Sequence, residues 1–123
     1  MSEHASLHFA KLDESDDSIT SYLAAFIFSR KAAGRADSTI IFYTQMLGQF
    51  AKFVPAWPPT PYDVNAFLMH KRQTVSKVAV NTAWRAISAF LNWCEWQGHL
   101  TDNPLRHVDR PRRIKPLPKA DYQ

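Results

Sequence analysis

Cysteine occurs once in these 123 residues, at Cys94, which excludes an intrachain disulfide and the usual Cys-based structural zinc site. Glycine is nearly as scarce, with three in the chain. No segment alternates apolar and polar side chains with the period of two that marks a half-buried strand. Long hydrophobic runs are missing too: no uninterrupted apolar stretch approaches the ~18 residues of a membrane span. The N-terminus is acidic and carries no basic-then-apolar leader, so the expectation is a cytoplasmic chain without a membrane partner. His4, His8, His70, His99 and His107 lack metal-ligand spacing, so no metal and no other cofactor is expected.

What is present is an ordinary globular balance, 46% hydrophobic and 21% charged residues, in a length suited to one domain with its own core. The charge is unevenly spread. Residues 1–17 set Lys11 against Glu3, Asp13, Glu14, Asp16 and Asp17, so an acidic arm precedes a body that carries the basic excess. A basic body suits a polyanionic partner, although basic surfaces without one are common.

From Ser18 onward the apolar residues recur at helical spacing. Ile19, Tyr22, Leu23, Phe26 and Ile27 predict a first helix over about 18–33, capped by Ser18 and ended by Gly34. Asp37 or Ser38 caps the second, about 38–54, on a stripe of Ile40, Tyr43, Leu47, Phe50 and Val54. Pro55, Pro58, Pro59 and Pro61 break the chain. Thr60-Pro61-Tyr62-Asp63 reads as a cap, a first-position proline and a first-turn acid, and it starts a third helix that stops near Gln73, with Lys71 and Arg72 facing the negative pole of its dipole. After Ser76, Val80, Ala83, Trp84, Ile87, Phe90, Leu91 and Cys94 predict a fourth helix over about 77–97, stopped by Gly98. Asn103-Pro104-Leu105 forms a turn with one apolar anchor. Residues 106–123 then read as an extended cationic linker, with Pro111, Pro116 and Pro118 opposing helix. The economical fold is an all-α bundle of four helices over 18–105.

The fourth helix carries its polar residues on one line: Lys77, Asn81, Arg85, Ser88, Asn92 and Glu95. The solvated face of any amphipathic helix has this spacing. The composition points further, because Arg and Asn read guanine and adenine edges in the major groove and Lys adds a phosphate contact, whereas Glu95 points away from DNA. On the second helix, Ser38 and Thr39 can offer hydroxyls and free backbone N–H groups to a phosphate, or simply cap the helix, with Gln45 and Lys52 farther along. The spacing of the tryptophans and phenylalanines says core rather than base-stacking platform. Trp57, in the proline-rich loop, either caps the core or meets a partner.

The ordered pattern Ser38-Thr39-x3-Tyr43-x3-Leu47-x2-Phe50-x2-Phe53, Asn81-x3-Arg85-x-Ile87-x-Ala89-Phe90-Leu91-x-Trp93, Gly98-x-Leu100 and Asn103-Pro104-Leu105 resembles the N-terminal core-binding domain of tyrosine recombinases, the phage-integrase and Xer-like enzymes. The resemblance implies a SAM-like orthogonal four-helix bundle, one half of a clamp around double-stranded DNA, with the second and fourth helices facing the major groove. It implies DNA-facing roles for Ser38, Thr39, Lys77, Asn81 and Arg85, and a linker whose Arg110, Arg112, Arg113 and Lys115 cross the backbone toward a catalytic domain. It also implies that this chain is not itself an enzyme, since the family's tyrosine nucleophile and phosphate pocket belong to that second domain. His107-Val108-Asp109-Arg110, with Tyr122 beyond it, matches the family's H-x-x-R string by chance on this reading. The expected partners are duplex DNA and recombinase protomers on it, with the isolated chain monomeric. The alternative is a helical protein–protein module for recombinase assembly, supported by Phe28 and Trp57 if exposed. A stand-alone catalyst finds no organised nucleophile–base pair.

Overall fold

The computed structural model describes residues 18–74 and 77–112. Among them the chain is all-helical, with four α-helices and no strand: α1 (Ile19–Ala32), α2 (Asp37–Ala51), α3 (Pro61–Thr74) and α4 (Lys77–Gln97), followed by a 3-10 turn (Pro104–His107). The acidic arm, Ser76, Arg113, Lys115 and Tyr122 lie outside the described residues.

The helix ends follow from local chemistry. Gly34 and Gly98 take positive φ, 80° and 88°, just past α1 and α4. In each case the glycine N–H and the next one bond back to carbonyls of the last turn (Arg35 to Arg30, 3.1 Å; His99 to Cys94, 2.8 Å). At α3, Thr60 and Asp63 form a reciprocal box: the Asp63 N–H donates to Thr60 Oγ1 (3.1 Å) and the Thr60 N–H to Asp63 Oδ2 (2.9 Å). Two expectations are corrected at α2. Ala36 occupies the N-cap, its carbonyl accepting from the Thr39 and Ile40 N–H groups, so Asp37 and Ser38 are already helical. The helix ends at Ala51 rather than 54, because Phe53 and Val54 tighten into turns that donate to Phe50 and Ala51.

α4 is the axis of the molecule and touches α1, α2 and α3. Its Phe90 and Trp93 meet Phe26 of α1 edge to face, both at 5.5 Å between ring centroids, while Phe50 of α2 meets Phe67 of α3 at 5.4 Å. Each fully buried Phe of this set stabilises the fold by roughly 1.5–3 kcal/mol. Lys71, in the last turn of α3, is only 8% exposed. Its ammonium donates to Gln49 Oε1 of α2 and lies 5.6 Å from the Phe67 ring, so it pins α3 to α2.

Trp57 caps the core. Its indole stacks on Tyr22 at 4.5 Å, and its N–H donates to the His99 carbonyl at 3.3 Å. Trp84 and Trp93 pack against the core as their spacing predicts, but for Trp96 that reading is corrected: it is 79% exposed, on the last turn of α4.

Candidate functional site

The polar line of α4 divides into two halves with different surroundings. In the C-terminal half, the chain after Gly98 turns back and seats Asn103 on the helix. Asn103 is 2% exposed; its Nδ2 donates to Asn92 Oδ1 (2.9 Å) and Glu95 Oε1 (3.1 Å), and its Oδ1 accepts from the Leu105 N–H (3.0 Å). Arg106 adds an ion pair to Glu95 Oε2 at 2.5 Å. The Arg106 hydrogen bond, and then that of Asn103, hold the Glu95 carboxyl below its ordinary pKa. Ser88 sits between the halves and donates to the carbonyl of Trp84, inside its own helix. Asn92 and Glu95 thus belong to the fold.

The N-terminal half is arranged for something else. Arg85 is exposed, and its guanidinium lies 5.8 Å from the centroid of Phe42 on α2. Phe42 stands one turn beyond Ser38 and three residues before Gln45, so this contact seats Arg85 against the α2 edge that carries both. Ser38 is exposed, Thr39 half-buried and Gln45 exposed. The N–H groups of Asp37 and Ser38 precede the first ladder bond of α2, leaving donors at the positive pole of its dipole, beside the Asp37 carboxylate. Lys52 is not brought into this group. It is the C-cap of α2, about 21 Å along the axis from Ser38. Lys77 opens α4 one turn before Asn81.

Asn81 is engaged by the chain itself: its Nδ2 donates to the carbonyl of Arg112 at 3.0 Å. The segment after the 3-10 turn therefore runs back along α4 toward its N-terminus, with Val108 buried and Arg110 and Arg112 exposed. Sequence reasoning placed these arginines on an extended linker toward a second domain; as far as Arg112 the described chain lies along α4. That reasoning also passed over Arg72, which lines a cleft of about 280 Å³ with Leu68, Met69, Val80, Asp109 and Pro111. The importance of Phe42 was hidden for a different reason, since a ring on a core stripe gives no sign that an arginine from another helix will lie on it.

Burial pushes the Cys94 thiol up to about 12, so it stays protonated at neutral pH. Among the described residues no cluster of three His, Cys, Asp or Glu side chains could hold a metal ion, and no helix is long and apolar enough to cross a membrane.

No protein-family model and no solved structure matches the chain. It is similar to a curated protein, the tyrosine recombinase XerC of Herpetosiphon aurantiacus, at 32% identity over 96 residues that cover 71% of this chain and 31% of the relative. The chain thus spans about a third of the length of the relative it matches. This distant homology supports kinship with the tyrosine recombinases.

Proposed function

We propose that the chain binds double-stranded DNA as the core-binding part of a tyrosine recombinase, itself non-catalytic, folded as a SAM-like orthogonal bundle. In this reading residues 1–17 are an arm, 18–105 the bundle and 106–123 a basic linker, and the chain works in the cytoplasm as a monomer until protomers assemble on DNA. The observation that carries the reading is the exposed edge where Arg85 rests on Phe42 between Ser38 and Gln45. An exposed guanidinium beside a ring has donors to offer a partner, and arginine is the side chain that reads a guanine edge bidentately, while the α2 N-terminus beside it offers N–H and hydroxyl donors to a phosphate. Lys77, Arg110, Arg112, Arg113 and Lys115 supply sequence-independent attraction to the backbone. Lys52, far from this edge, contributes least.

The test is an NMR titration of the chain with duplex DNA at low and moderate salt. Shifts centred on Ser38, Thr39, Arg85 and Arg112, with affinity falling steeply as salt rises, are expected. Absence of any shift at about 50 mM salt overturns the reading.

A second reading, a protein–protein module for recombinase assembly, draws on α3. Tyr62 and Met69 are 77% and 52% exposed on its outer face, where they line a shallow groove with Asn65, Ala66, His70 and Gln73. Trp57 lends this reading nothing, because it is packed on the core. Self-association at micromolar concentration without DNA, abolished by Tyr62→Ser with Met69→Ser, is its expected signature.

A further inference from the structure

The contact between Asn81 and the segment after the 3-10 turn changes what that asparagine is for. Three points hold residues 108–112 on the bundle. Val108 is buried at the margin of the core, and its N–H donates to the Leu105 carbonyl at 3.3 Å. Pro111 is half-buried and forms part of the wall of the cleft that Leu68 and Arg72 of α3 and Val80 of α4 also line. The Arg112 carbonyl accepts from Asn81. Pro111 also biases Arg110 toward extended backbone, so the intervening chain has little freedom to fold away. Arg110 and Arg112 remain exposed between and beyond these anchors.

Asn81 stands one turn from Arg85 and one turn from Lys77. Fixing the Arg112 backbone at Asn81 therefore brings the strap cations to the same end of α4 as Arg85. An adenine is read by an asparagine through the amide N–H and carbonyl together, and here one of the two amide hydrogens is already given to the chain, which fixes the orientation of the side chain. We propose that Asn81 is a positioning residue rather than a base reader: it holds the strap on α4 so that Arg110 and Arg112 join Arg85 in one cationic surface for the phosphate backbone. Its second part rests on the DNA-binding reading above; its first part does not.

The two parts are tested separately. Trypsin cleaves the Arg112–Arg113 bond at the very carbonyl that Asn81 holds. In the free protein, Asn81→Ala should speed that cleavage by about two- to tenfold, the range one hydrogen bond supplies, while cleavage after Arg106, held by Glu95, stays unchanged. Equal rates after Arg112 in both chains overturn Asn81's hold on this segment, whatever the DNA result. With duplex DNA, Asn81→Ala should weaken cognate and scrambled sequences alike and lower the salt slope by about one. In a background of Arg110→Gln with Arg112→Gln, the same substitution should add nothing, because its effect passes through those cations. Lost discrimination at one base pair with an unchanged salt slope, or full additivity in the cycle, overturns the positioning role. If the unaltered chain binds no duplex, the DNA-binding reading and the strap's role in it fall together, while the trypsin result still decides whether Asn81 holds the strap.

Discussion

The two halves of α4 carry the same spacing of polar residues and opposite fates. Asn92 and Glu95 lie under Asn103 and Arg106, four polar groups closing on one another at 2.5–3.1 Å. Arg85, two turns earlier, has a ring beneath it and solvent above. Periodicity says only that these residues share a face. What the rest of the chain lays on that face decides which half is structure and which is surface, and here the turn at Asn103-Pro104-Leu105 takes the C-terminal half.

If that division is right, Asn103→Ala breaks the structural half at its centre. It leaves the Leu105 N–H, Asn92 and Glu95 without their buried partner and removes the cap of the 3-10 turn. The expected cost is about 1–3 kcal/mol of stability, read as a fall in urea midpoint with unchanged slope. A loss within about 0.5 kcal/mol, the range of ordinary surface substitutions, would mean the halves do not differ.

Arg85→Ala is the converse experiment. It should change stability by no more than about 1 kcal/mol, the worth of an exposed cation–π contact. Affinity for a cognate duplex should fall by about 1–3 kcal/mol, with discrimination relaxed at one base pair. Thermal melts and competition with single-base variants of the site separate the two effects. A stability loss as large as that of Asn103→Ala would reassign Arg85 to the fold.

Asp37 sharpens the surface half from its edge. Its carboxylate complements the α2 dipole at the first helical position but repels a phosphate approaching the Ser38 N–H. Asp37→Asn should thus cost a few tenths of a kcal/mol in stability while raising affinity for any duplex severalfold at low salt, the gain shrinking as salt rises. An affinity that does not move would take the α2 N-terminus out of the proposed interface.

The residues that sequence reading placed well are those whose partners are local. Thr60 and Asp63 bond to each other three positions apart, Gly34 and Gly98 answer to their own helix ends, and Phe26 and Phe90 follow their stripes. Its misplacements are long-range. Lys71 reads only as a charge at the end of its helix, and the approach of Gln49, 22 residues away, is what gives its ammonium an acceptor. Asn81 reads as a DNA-facing side chain, and its hydrogen bond within the chain is invisible locally because the acceptor lies 31 residues on, in a segment whose prolines suggest an extended linker. Trp96 keeps helical spacing with Trp93, but the last turn of α4 leaves its ring in solvent. Of the candidate edge, Ser38, Thr39, Gln45 and Arg85 are legible in the sequence as residue types on the second and fourth helices. Their juxtaposition through Phe42 is not, since it depends on how α2 crosses α4.

The smallest expected effect probes the structural half by pH. The Arg106 and Asn103 hydrogen bonds lower the folded-state pKa of Glu95 below its ordinary 4.5, so the ionised carboxylate is the form the fold prefers. A depressed folded pKa gives stability that is complete above the unfolded value and drains away as pH falls through the folded one. Melting temperature measured between neutral pH and about pH 3 should therefore show a decline that Glu95→Gln reduces, because the glutamine has no proton to gain in that window. The pair is solvent-exposed, so moderate salt should shrink its ion-pair part while leaving the Asn103 hydrogen bond. If the decline is identical in the two chains, Glu95 is a passive neighbour of Arg106, and the hold on the C-terminal half belongs to Asn103 and Asn92 alone.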